Sequence, residues 1–185
     1  MGSRLFPSHS VGVYDTLESV LFAPVRACPM ISGAQDKNMA TAKVVPVGPS
    51  ELGLIAELYN EVFTPKEVVE FFQRRFRGRY NVAMMVAMVE DRPAGFIIGF
   101  ELMPTTFFSW LCGVLPDFRR QGICTQLIQA QHAWATDHGY QLMRFECNNQ
   151  HRPMLHVAIT EGYDLVGIRY DSSSADNVVI FEKEL

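Results

Sequence analysis

The chain has 185 residues, 48 % of them hydrophobic and 19 % charged, with 20 acidic against 16 basic residues and a formal charge of −4. That length suits one domain with a sizeable core, and that composition is not one of intrinsic disorder. The acidic balance argues against generic nucleic-acid binding, which works by phosphate neutralisation, and no apolar run approaches the ~20 residues that span a bilayer.

Residues 1–38 mix Ser, Pro and Gly with isolated apolar residues and sustain neither a strand nor a helix period. They read as an N-terminal extension, with Asp15 as the expected cap of a short helix to about Phe22 and Met39 as an alternative translation start. The apolar patch from Val20 to Ala23 is broken by Pro24, too short for a signal-peptide core, so the expectation is a cytoplasmic protein without a membrane partner. Cys28, Cys112, Cys124 and Cys147 form no Cys-x-x-Cys pair. They are expected to be reduced, small apolar residues, with no metal.

The patterned domain is 39–185. Residues 42–47 predict a strand at a sheet edge, because Pro46 would break a central ladder. Ser50 is the expected cap of a helix bearing Leu52, Ile55, Ala56, Leu58 and Val62 at helical spacing. Thr64-Pro65-Lys66-Glu67 reads as a capping box for a second helix to about Arg74. Residues 81–89 and 94–102 predict a hairpin turning at Glu90-Asp91-Arg92-Pro93, followed by a third strand over 106–114. Helical spacing returns at Ile123, Leu127, Ala130 and Trp134, with Gly139 as a stop. A strand over 141–148, a short helix over 153–160 and closing strands over 164–169 and 178–184 complete the order β-α-α-β-β-β-α-β-α-β-β. There is no repeat and no internal linker, so this is one α/β domain.

The chemistry concentrates where the 106–114 strand turns into the following helix: Val114-Leu115-Pro116-Asp117-Phe118-Arg119-Arg120-Gln121-Gly122-Ile123-Cys124-Thr125. Backbone N–H groups at a helix start lack intrahelical acceptors, and the helix dipole adds positive potential there. Such a terminus suits a phosphate or diphosphate. Gly122 lets backbone approach an anion, while Arg119, Arg120 and the Thr125 hydroxyl can add bonds. The stretch has neither the Gly-x-x-x-x-Gly-Lys-Ser/Thr pattern nor the three glycines of the dinucleotide fingerprint.

Strand, then Val-x-Pro-x-aromatic-Arg-x-x-Gly-Ile, then an amphipathic helix resembles the central motif of the GNAT acetyltransferase superfamily, Arg/Gln-x-x-Gly-x-Gly/Ala, written here Arg119-Arg120-Gln121-Gly122-Ile123-Cys124. The resemblance spans roughly 42–185 and includes Asn148-Asn149 after the next strand and Glu161-Gly162-Tyr163-Asp164, where the family commonly has Gly-Phe or Gly-Tyr. It implies a mixed, mostly antiparallel sheet of six to seven strands, with helices on both faces and a splay between the fourth and fifth strands. It also implies acetyl-CoA as co-substrate. Cys112, Gly113 and Val114 would offer main-chain groups to the pantetheine arm, the amides of Arg119, Arg120, Gln121, Gly122, Ile123, Cys124 and Thr125 would take the diphosphate, and Asn148 would bond the cofactor near the splay. The acceptor would be an amine of a small molecule or peptide. Dimers are common in the family, and a homodimer is carried as an expectation.

Two departures stand out. Cys124 takes the place of a Gly or Ala, and Ala158 takes that of a Tyr that often serves as general acid four residues before the Gly. Transfer to an amine needs a proton acceptor, oxyanion stabilisation and a proton for the leaving thiolate. Glu101 and Glu146 are the candidate bases and His156 the substitute acid, each with a bland alternative as a solvated or ion-paired side chain. Tyr163, Phe107, Phe108 and Trp110 are expected to fill core, and Arg74, Arg75, Arg77 and Arg79 to form a solvated basic face or contact an acidic group. The departure at Ala158 motivates the competing reading, a catalytically silent CoA-binding sensor or interaction module.

Overall fold

In the computed structural model, residues 39–185 are described; the extension 1–38, with the expected helix from Asp15 and with Cys28, lies outside them. The elements are β1 (Lys43–Val47), α1 (Leu52–Val62), α2 (Val69–Phe76), β2 (Ala83–Val89), β3 (Arg92–Met103), β4 (Thr106–Val114), α3 (Ile123–Asp137), β5 (Leu142–Asn148), α4 (Arg152–Thr160), β6 (Asp164–Asp171) and β7 (Asp176–Glu184). The seven strands form one sheet in the order β1-β2-β3-β4-β5-β7-β6, antiparallel throughout except for the β4–β5 pair. This is the expected architecture, with Pro46 on an edge strand.

Alternation along the strands builds a core on each face. In β5, Met143, Phe145 and Cys147 are buried while Arg144, Glu146 and Asn148 point to the other side. The first core lies under α3 and α4, where Ile123, Leu127 and Ala158 meet Ile97, Phe107, Met143 and Phe181. The second lies under α1 and α2, where Ile55, Leu58, Tyr59 and Phe72 meet Val86, Phe96, Ile98, Phe100 and Trp110. Burial of an Ile, Leu or Phe side chain contributes about 2 kcal/mol, so both helix layers are held mainly by these apolar stripes.

Local differences from the sequence reading have local causes. The β2–β3 hairpin turns on Glu90 and Asp91 alone, both at positive φ (48° and 59°), and Pro93 is already inside β3. A 3₁₀ turn over Pro49–Glu51 precedes α1, and the Glu51 carboxylate, not Ser50, accepts the Gly48 N–H at 2.8 Å. The second helix begins at Val69, not at Pro65. The Asn60 side chain clamps the Glu67 backbone in both directions, donating to its carbonyl at 2.9 Å and accepting its N–H at 2.7 Å. That clamp holds residues up to 67 in a loop and overrides the capping-box pattern. Among the described residues, no helix is long and apolar enough to cross a membrane.

Candidate cofactor and active site

The sheet opens at one place. Parallel pairing of β4 with β5 runs from Thr106↔Leu142 to Ser109↔Phe145 and stops. At that point β4 carries a bulge: Ser109 pairs with Gly99 and Leu111 with Ile98, leaving Trp110 without an opposite residue on β3. The Trp110 ring is anchored among Phe71, Phe72, Phe76 and Phe100, with centroids 6.0 to 6.4 Å away, and the Arg75 guanidinium stacks on it at 5.0 Å. Beyond the bulge β4 stays with β3, while β5 stays with β7 as far as Asn148↔Val178. Among the described residues, the β5-facing edge of Cys112, Gly113 and Val114 therefore has no strand partner, as a splay requires.

The open edge leads into the loop. After a 3₁₀ turn over Pro116–Phe118, Arg120 and Gly122 both adopt left-handed backbone (φ 65° and 78°) before α3 begins at Ile123. A non-glycine residue at positive φ costs about 1–2 kcal/mol, and here the turn gathers amides into a concavity of the kind that binds anions. Among the described residues, no acceptor bonds the amides of Arg120, Gln121, Gly122, Ile123, Cys124 or Thr125; the next amide, Gln126, is satisfied by the Gly122 carbonyl at 3.1 Å. Among the described residues, then, six consecutive N–H groups stand bare at the positive end of a 15-residue helix.

The side chains around this row have divided tasks. Arg119 spends its Nε on the Val114 carbonyl (3.1 Å) and so ties the loop to the end of β4, and Gln121 reaches the Asp117 carbonyl (3.0 Å). The Gln126 amide braces the strand leading into β1, donating to Ala40 O (2.8 Å) and accepting from Ala42 N (2.9 Å). Met39 at the head of that strand corrects the reading of Gly122. A Cβ on Gly122 would lie 2.6 Å from Met39 Cε and 2.8 Å from Sδ, so the space beside its Cα is filled by a thioether. The glycine is needed for its left-handed φ, and it leaves room for the flexible end of Met39.

Across the opening, Asn148 ends β5 with a buried Oδ1 that has no partner among the described residues. Its carbonyl accepts the His151 N–H at 2.9 Å, which folds the chain into α4. Burial lowers the pKa of His151, and the neighbouring Arg119 lowers it further. Cys112 on β4 and Cys124 in the first turn of α3 put their sulfurs 3.7 Å apart, both half-buried. Hydrogen bonding from Cys112 lowers the Cys124 pKa, and the same contact raises that of Cys112.

Of the three candidate acid–base residues, one lies at the splay. Glu146 is on β5 just past the last β4 pairing, on the face covered by α1 and α2. Its carboxylate is 3.0 Å from Arg144 and 3.3 Å from Arg169, with its side chain 10 % exposed. Glu101 is not brought there. It sits opposite Phe107, within the closed part of the β4–β5 pair, where Asn81 (3.0 Å) and the Tyr140 hydroxyl (2.8 Å) donate to it. Three strand positions, about 10 Å, separate Phe107 from the opening at Trp110. His156 is exposed on α4, while Ala158, two residues on, is fully buried in the core. Helical geometry turns the two in different directions, so neither offers a proton at the splay.

Tyr163 packs edge-on to Phe145 at 4.8 Å, with its hydroxyl 2.6 Å from His132 Nε2. The sequence reading missed His132, a half-buried base pushed down to about 4 by desolvation and by Lys183. Its spacing on α3 resembles that of any inward residue, and only the Tyr163 contact marks it. Arg75 and Arg79 likewise stack on core rings, on Trp110 and Phe100, more than they form a solvated basic face. Among the described residues, no group of three His, Cys, Asp or Glu side chains is placed to hold a metal ion.

Fold and geometry define the class: a mixed α/β protein whose sheet is split beside a row of bare helix-terminal amides. The chain matches the acetyltransferase (GNAT) family over residues 52–159. It belongs to that family. Solved structures of the same fold include Ard1 from Thermoplasma volcanium, at 16 % identity and TM-score 0.69, covering 78 % of this chain and 97 % of that one. They include the ribosomal-protein-S18-alanine N-acetyltransferase from Escherichia coli, at 13 % and 0.68, covering 78 % and 94 %. A third is yncA from Salmonella typhimurium, solved with its cofactor acetyl-CoA, at 11 % and 0.64, again covering 78 % and 94 %. At such identities the likeness is one of fold. A search of curated proteins returns no match.

Proposed function

We propose that the protein binds acetyl-CoA in the splay and on the loop, and passes the acetyl group directly to a primary amine of a small molecule or peptide. The observation that carries this reading is the run of six unbonded amides, from Arg120 to Thr125, continuous with the unpaired edge of β4. The residues present fit the cofactor: the amides suit a diphosphate, the β4 edge suits the amide groups of a pantetheine arm, and the orphaned Asn148 Oδ1 gains a donor. Acetyl-CoA supplies an activated thioester. The β4 backbone beyond the Trp110 bulge orients it, and Glu146, across the opening, takes the proton from the amine directly or through water. The cytoplasm is the compartment this reading implies.

Family membership and the relative solved with acetyl-CoA support the reading, as does a relative named for acetylating an alanine of a ribosomal protein. A second reading, a CoA-binding module without turnover, draws on Ala158, buried where many relatives carry the acidic Tyr, and on the Tyr163 hydroxyl being held by His132. Incubation with acetyl-CoA and a panel of amines, with thiol release followed, separates the two. Turnover with any amine above the hydrolysis background supports transfer. Tight acetyl-CoA binding with silence across the panel supports the module.

A further inference from the structure

Cys124 is the second residue of α3, its amide is one of the six bare donors, and its Sγ lies 3.7 Å from that of Cys112 on the open edge of β4. These are the two walls between which the proposed cofactor path runs. Two thiols at van der Waals contact must approach further to bond, since the S–S bond is about 2 Å long. We propose that Cys112 and Cys124 are a reversible oxidation site, a disulfide that peroxide forms and small thiols reduce, and that closing it draws the first turn of α3 onto β4 and weakens acetyl-CoA binding. The proposal rests on reading this loop as the cofactor site.

Reactivity is assigned to Cys124. It sits at a helix N-terminus, where the dipole stabilises a thiolate, and its contact with Cys112 at 3.7 Å lowers its pKa. Both residues are half-buried, and the oxidant required is as small as hydrogen peroxide. The Cys124 thiolate attacks one peroxide oxygen, the O–O bond breaks, and the departing hydroxide takes a proton to leave as water. The Cys112 sulfur then attacks the resulting sulfenic sulfur, and its thiol proton leaves with the hydroxyl as a second water. Two thiols lose two electrons and one peroxide gains them. Cys147 is not part of this device: it is buried on β5, and desolvation alone pushes its thiol up to about 12.

The test uses the full chain. Reduced protein is treated with hydrogen peroxide and free thiols are alkylated under denaturing conditions. Peptide mapping by mass then seeks a Cys112–Cys124 link, and acetyl-CoA titrations compare reduced, oxidised and re-reduced samples. The expected result is that link, a loss of two hydrogen masses, and binding at least about tenfold weaker that dithiothreitol restores. In Cys124→Ala, whose own acetyl-CoA affinity is measured first, peroxide should form no link and leave that affinity where it was. Absence of the link, or a linked protein that binds as tightly as the reduced one, would overturn the proposal. If the reduced parent protein does not bind acetyl-CoA, the cofactor reading fails instead, whatever the mass map shows.

Discussion

Asn148 keeps a buried amide oxygen without a donor, a state that costs about 1–3 kcal/mol and makes sense where a ligand supplies the missing N–H. Asn148→Leu is therefore expected to leave the apo thermal midpoint no lower while weakening acetyl-CoA about fivefold, the worth of one hydrogen bond; calorimetry on both proteins checks the pair of results. If Glu146 takes the amine proton as proposed, Glu146→Gln should lower kcat about 100-fold and leave the KM for acetyl-CoA nearly unchanged, as steady-state kinetics would read. His132 serves stability. Its pKa is depressed from 6.5 to about 4 in the fold, so the unfolded chain binds the proton first as pH falls. The stability tied to the neutral imidazole is whole above about pH 6.5 and is lost as pH falls toward 4. In His132→Phe the fall in melting temperature across that window should be smaller than in the parent; an equal fall would remove His132 from the explanation.

At the level of elements, the bulge in β4 and the loop before α3 make the opening, and they differ in how far the sequence shows them. The loop is legible because its requirements are local: Pro116 for the turn, Gly122 for a left-handed residue and a good helix behind it. The left-handed Arg120 is not legible, since nothing about an arginine marks it. Nor is the bulge at Trp110, set by its ring wedged among aromatics from α2 and β3, nor the late start of α2, set by an Asn60 clamp seven residues away. Such features are written in tertiary contacts, which a pattern along the chain does not carry. Trp110→Ala should remove the wedge and destabilise the fold by about 3–5 kcal/mol, read by chemical denaturation. Gly122→Ala should cost about 1–2 kcal/mol for its left-handed φ, because the exposed end of Met39, 70 % accessible, can swing aside.

For the whole molecule, two cores on opposite faces of one sheet keep β3 and β4 rigid while β4 and β5 part company. The alternation of Met143, Phe145 and Cys147 with Arg144, Glu146 and Asn148 shows this two-sided plan in the sequence, as does the near-continuous apolar run of β3. Which carboxylate reaches the opening was not legible, because Glu101 and Glu146 both end apolar strands and only the strand register separates them. Ligand binding at 100 times Kd stabilises a fold by about 2.7 kcal/mol, so saturating acetyl-CoA should also raise the melting temperature by several degrees. Amide hydrogen exchange with and without saturating acetyl-CoA tests the account most directly, since it reads the very N–H groups in question. Protection should appear over residues 120–125 and along 111–114, with little change in β1, β2 or α2. Binding that left residues 120–125 exchanging at their apo rates would contradict it.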